Sequence, residues 1–163
     1  MSLSSDLVLP VGVSGFCNPH IYQLSMYTHN PLFFQLCSDI NQTTDFRLLH
    51  SEATAKGQNF SYALFENKGF VAIMCNQYYP LIGYCAVPAA RLSGGKFTDV
   101  PELDTFFEKD FKILRQDFLE NPVNADNKRS RIILQNIGHE EFAQFAYWEP
   151  EIIGEIVFNR WGA

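Results

Sequence analysis

The sequence predicts a single α+β domain over residues 1–163, a mainly antiparallel sheet with one long helix and a short C-terminal helix. Three observations predict it. Short apolar runs follow one another between residues 46 and 87, divided by turn residues, as in a meander of strands. Apolar residues then recur at three- and four-residue steps from Leu103 to Phe118, the period of a helix. The chain is 47% hydrophobic and 18% charged, with no internal repeat and no Gly/Ser-rich linker, which fits one core and excludes a disordered chain.

Residues 7–13 alternate loosely and read as a strand closing in a turn between Gly12 and Gly15. The breaker dipeptides Asn18-Pro19 and Asn30-Pro31 flank residues 20–27, which suits a short strand. The run 32–37 fits a helix or a strand, because so short an apolar run carries no decisive period. Strands are expected at 46–50, 60–66, 70–75 and 81–87, with one apolar face. Between the second and third, Glu66-Asn67-Lys68-Gly69 is a hairpin signal, since Asn and Gly accept positive φ.

The long helix is expected to start at Pro101 with Asp99 as its N-cap, and Glu102 and Asp104 complement its positive end. Its stripe is Leu103, Phe106, Phe107, Phe111, Leu114 and Phe118, and Asn121-Pro122 ends it. Residues 126–129 read as an exposed turn, 131–135 as a strand and 139–146 as a short helix. Glu149-Pro150 punctuates the chain, and residues 151–161 read as the terminal helix. There Gly154 permits close approach of another element and Asn159 caps a carbonyl or a turn.

Charge is the first functional pointer. The formal net charge is −6, and all of it falls in residues 97–163, since acids and bases balance before that point. An acidic chain lacks the footprint of a nucleic-acid binder, and a one-signed surface steers partners of the opposite sign. Aromatic residues make up 15% of the chain, enough for a dense core or an aromatic binding face. Residues 69–90 contain no Asp, Glu, Lys or Arg, but Asn76, Gln77, Pro80 and Gly83 make this a poor membrane span. No basic and apolar signal segment opens the chain, and Cys17, Cys37, Cys75 and Cys85 form no C-x-x-C pair. A reducing cytoplasm is the expected compartment.

Catalytic constellations are sparse. Cys17 and His20 with Cys37 or His50 do not complete a zinc-ligand spacing, so no metal and no cofactor is expected. A thiol hydrolase would use Cys17 or Cys37 with His50 or His139 and an orienting residue such as Asn159, but no flanking signature marks such a set. Ser93-Gly94-Gly95-Lys96 lacks the spacing of a phosphate-binding loop. On a helical wheel Asp110 falls within the apolar stripe and Asp117 at its edge. Both are therefore expected in buried ion pairs with Arg91, Arg129, Arg131 or Arg160, an acid/base dyad being the alternative.

The last stretch, Trp148-Glu149-Pro150-Glu151-Ile152-Ile153-Gly154-Glu155-Ile156-Val157-Phe158-Asn159-Arg160-Trp161, is the most distinctive text in the chain. This W-x-P-x-x-I-G-x-I-x-F-N-x-W ending resembles that of a group of small bacterial proteins, some of them similar to immunity proteins encoded beside toxins. The resemblance covers about a tenth of the chain and carries over no functional residue.

Together these features point to an acidic protein-binding module, an immunity-type inhibitor that blocks a basic partner such as a nuclease toxin. The expected partner-binding residues are the acids Glu102, Glu108 and Glu120 and the aromatic anchors Tyr147, Trp148 and Trp161. A homodimer through Phe158 and Trp161 is compatible with the pattern. The alternatives are a cysteine–histidine thiol hydrolase and a small-molecule binder with a Phe/Tyr-lined cavity.

Overall fold

A computed structural model describes residues 7–16, 29–54 and 57–162. Its frame is a sheet whose first strands are those the apolar runs predict: β1 (Arg47–Glu52), β2 (Phe60–Glu66), β3 (Phe70–Asn76) and β4 (Leu81–Val87). With β5 (Lys96–Thr98) they pair antiparallel in the order β1-β2-β3-β4-β5. The β2–β3 hairpin turns where expected. Lys68 and Gly69 take φ of 56° and 150°, and Asn67 N–H donates to the Gly69 carbonyl at 2.9 Å.

The sheet is covered on both faces, not on one. Successive side chains of a strand point to opposite sides, and here both sides are core. Ala63, Phe65, Val71, Ile73, Ile82 and Tyr84 enter a first core with Phe33, Cys37 and Ile40 of α1 (Asn30–Thr43). Phe60, Tyr62, Leu64, Ala72, Met74 and Cys85 enter a second core with Leu114, Phe118, Ile133, Ile153 and Ile156. Unbroken apolar runs in β2–β4, in place of an apolar–polar alternation, are the mark of this double burial. The ambiguous run 32–37 is the middle of α1: Phe33, Cys37 and Ile40 share one face, and polar Ser38 and Asp39 continue the helix.

The expected long helix is broken into three pieces: α2 (Pro101–Phe107), a two-residue strand β6 (Lys112–Ile113), and α3 (Gln116–Leu119). The stripe's apolar residues serve two different cores. Leu103, Phe107 and Phe111 pack in the first, while Leu114 and Phe118 pack in the second. A continuous helix could not deliver both sets, so the chain crosses at the sheet edge. There Lys112 N–H donates to Pro80 O and Leu114 N–H to Ile82 O, each at 2.8 Å, and β6 runs parallel to β4. Asp99 does not cap α2; its Oδ1 accepts the Gln116 N–H at the start of α3.

Three further expectations are corrected. Residues 7–13 are a buried coil and turn rather than a strand, tied by Leu9 N–H to Ile133 O. Residues 131–135 belong mostly to α4 (Lys128–Ile133), whose N-cap Asn127 accepts the Ser130 N–H. The terminal helix shrinks to α6 (Gly154–Val157), preceded by an antiparallel bridge between Ile152 and Pro122. The short helix at 139–146 is present as α5 (His139–Trp148), and Glu149 ends it in the left-handed region at φ 49°. The expected strand at 20–27, with Cys17 and His20, lies outside the described residues. Among the described residues no helix is long and apolar enough to cross a membrane.

Candidate functional site

The C-terminal segment turns back onto α5 and builds an aromatic cluster. Trp148 lies nearly parallel to Trp161, with ring centroids 6.3 Å apart and planes inclined by 6°. Phe145 meets Trp161 edge-on at 6.0 Å and Phe142 at 5.2 Å, and Tyr147 meets Trp148 edge-on at 4.9 Å. Gln144 accepts the Trp148 indole N–H at 3.1 Å, which fixes that ring one turn along the helix. Tyr147 is 77% exposed and Phe142 47% exposed, so these two rings reach solvent.

Trp161 is held in place by buried amides. Asn159 Oδ1 accepts the Trp161 N–H at 3.1 Å, and Asn159 Nδ2 donates to the carbonyls of Ser14 and Ile156. Asn59 and Asn76 each donate to both Val13 O and Val157 O, while Asn59 Oδ1 accepts the Asn159 N–H at 2.7 Å. Three buried asparagines therefore knot the N-terminal turn, the ends of β2 and β3, and the C-terminal segment.

A second clasp is built on a buried carboxyl group that accepts hydrogen bonds. Glu141, in the first turn of α5, is fully buried and accepts the N–H groups of Gly12 (2.6 Å), Ser14 (3.0 Å) and Gly138 (3.1 Å) together with the Ser14 hydroxyl. Backbone donors and the positive end of α5 replace water around the carboxylate. A capping-box Glu is recognisable in sequence by a Ser or Thr three residues before it. Gly138 stands there, so the motif did not announce itself.

The six predicted partner-binding residues are only partly brought together. Tyr147, Trp148 and Trp161 form the cluster just described. Glu102 and Glu108 belong to α2 and its end, which packs on the first core, whereas Phe145 and Trp161 pack on the second. Glu120 caps the end of α3. The acids that share the cluster's part of the chain are Glu140, Glu149, Glu151 and Glu155. All four are exposed, and none enters an ion pair among the described residues.

A partly buried ion pair exists with a different acid. Asp110 is exposed just past the end of α2, and Asp117 is exposed on α3 with Arg129 at 3.5 Å. Breaking the helix rotated both out of the stripe. Asp104 is the buried one: its Oδ1 accepts the Tyr84 hydroxyl at 2.9 Å and its Oδ2 accepts Arg115 Nη1 at 2.7 Å. Because Tyr84 lies on β4, this network ties α2 and the crossover to the sheet.

Cys37, Cys75 and Cys85 are free and buried. Burial pushes all three thiols above their ordinary range, Cys85 up to about 11, with the Glu120 charge adding to the effect there. Cys37 is therefore a core thiol, far from the depressed state a nucleophile needs. His50 stands exposed on β1 beside Glu52 at 3.8 Å, and among the described residues no group of three metal-ligating side chains converges. The raised thiols carry a prediction. Unfolded thiols ionise first as pH rises through the ordinary value of 9.0, while the folded protein keeps its protons, so stability falls from there upward. Burial and Asp104 raise the Tyr84 phenol as well, extending the loss to higher pH. The urea midpoint is expected to drop between neutrality and about pH 10; a flat profile would contradict buried, protonated thiols.

No protein-family model, no curated protein and no solved structure matches the chain. The surface of α5 with the returning C-terminal segment carries an aromatic cluster with Tyr147 and Phe142 exposed, and the acids of that stretch of chain enter no ion pair among the described residues.

Proposed function

We propose that this protein is an acidic protein-binding module of the immunity type, blocking a basic partner such as a nuclease toxin through α5 and the C-terminal segment. One observation carries the reading. Tyr147, 77% exposed, leans on Trp148, which pairs with Trp161, and the acids of the same stretch of chain, Glu140, Glu149, Glu151 and Glu155, are exposed and form no ion pair among the described residues. Rigid aromatics supply desolvated anchors at low entropic cost, and uncompensated acids attract a cationic surface and speed encounter. The resemblance of the chain's ending to immunity-like proteins supports the same surface, since it spans Trp148 to Trp161.

The test starts with capture of the partner from the native host at low salt, followed by association kinetics with the purified pair. Raising salt to physiological strength is expected to slow association without much change in dissociation. Tyr147→Ala is expected to weaken the complex by at least tenfold, about 1.4 kcal/mol, through faster dissociation. Replacing Glu149, Glu151 and Glu155 together by Gln is expected to remove most of the salt dependence. An association rate indifferent to salt, or a partner without a basic surface, would overturn the reading.

A further inference from the structure

The loop before β5 contains Ser93-Gly94-Gly95, and both glycines are required by its path. Gly94 has φ +67°, and a Cβ on Gly95 would lie 2.5 Å from Cys85 Sγ and 2.7 Å from Val87 Cγ1. With no side chain there, the loop settles against β4 and forms one wall of a pocket of about 200 Å³. Phe60, Met74, Leu92 and Phe158 give this pocket its apolar surface, and Arg160 closes it.

Arg160 is exposed at the pocket's rim and is positioned by a ring contact. Its guanidinium carbon sits 5.9 Å from the centroid of the Phe60 ring, a cation–π contact that orients the fork. Among the described residues the same guanidinium makes no hydrogen bond and no ion pair, although it carries five N–H donors. Glu52, which accepts the Tyr62 hydroxyl at 3.0 Å and lies 3.8 Å from His50, forms no ion pair with Arg160.

We infer that this pocket binds a small ligand with an apolar body and an oxyanion head, a phosphate or carboxylate held by Arg160 and the Ser93–Gly95 wall. A guanidinium presents paired donors that match either head bidentately, and the Ser93 hydroxyl adds a neutral donor. The apolar body would cover Phe60, Phe158 and Leu92. Arg160 lies on the same C-terminal segment as Trp161, but the pocket uses the Ser93–Gly95 loop and none of the rings proposed to anchor a partner.

The experiment uses phenyl phosphate and benzoate as probes and phenol as the uncharged control, followed by amide NMR on the full chain. Saturable shifts at Ser93, Gly94, Gly95 and Arg160 are expected with an anionic probe and not with phenol. The tighter of the two probes identifies the head group. Arg160→Gln is expected to weaken binding by at least about tenfold, the scale of a charge-assisted hydrogen bond, with Arg160→Lys in between. Ser93→Asp, on an exposed loop position, is expected to abolish it by repulsion. Resonances away from the pocket report whether each variant keeps the fold. Absence of shifts at 93–95 with both anions, or an unchanged Kd in Arg160→Gln, would overturn the site.

Discussion

Glu141→Ala is expected to destabilise the protein by about 3–5 kcal/mol, the scale of breaking a buried charged network. The substitution leaves the buried N–H groups of Gly12 and Ser14 and the half-buried one of Gly138 without their acceptor, and it orphans the Ser14 hydroxyl as well. Each unsatisfied buried donor costs about 1–3 kcal/mol, and a cavity is added where the carboxylate was. Against a typical total of about 5–15 kcal/mol, that is a large share. Glu141→Gln should fall between the two, because one amide oxygen still accepts while the amide nitrogen meets donors. Urea denaturation gives the magnitude and amide hydrogen exchange gives the location: Gly12, Ser14 and Gly138 should lose protection before β2–β4 do. A loss below about 1 kcal/mol would mean that water reaches the site and that the N-terminal turn is not clasped there.

The strands were legible because β2, β3 and β4 announce themselves twice, by apolar runs and by the Asn67–Gly69 turn, and pairing partners lie close in sequence. What misled was periodicity read without a partner. Residues 103–118 carry a helical period, yet Phe107 and Phe118 lie in cores on opposite faces of the sheet, a demand that no single-residue propensity encodes. Arg131 to Gln135 has a strand's composition, but the Asn127 cap starts a helix there. The rings that cluster at the C-terminal end, Tyr147, Trp148 and Trp161, were nameable because they stand out in a short text, while their contacts with one another were not. Glu141, Asn59 and Asn76 were not, since a buried polar residue is indistinguishable in sequence from a solvated one until its backbone partners are known. For the same reason the pattern points to Asp110 and Asp117 as the buried acids, whereas the buried acid is Asp104, paired with a half-buried Arg115. The polarity of the pairing was inferable; the face of the helix depended on where the helix stopped.

Gly154 is the residue whose role follows directly from its missing side chain, and Gly154→Ala is expected to cost about 2–3 kcal/mol or more. A Cβ there would lie 2.1 Å from Phe97 Cε2, 2.6 Å from Cζ and 2.9 Å from Cδ2, distances that real atoms do not share. Phe97 cannot simply swing aside, because its ring packs against Phe158 at 6.2 Å and Phe158 packs against Phe60 at 6.0 Å. The clash therefore moves either α6 or the ring, and both lie beside the segment that carries Asn159 and Trp161. A double-mutant cycle separates the sources of the cost. Phe97→Leu alone should destabilise by opening a gap, yet in the Gly154→Ala background it should restore part of the loss, giving a favourable coupling of about 1 kcal/mol or more. Additive losses would mean that the alanine is harmful for reasons other than contact with Phe97. The consequence reaches the proposed binding face: if α6 shifts, the Trp148–Trp161 stack loosens. Trp fluorescence of the folded Gly154→Ala variant should then change at denaturant concentrations where the sheet is still intact.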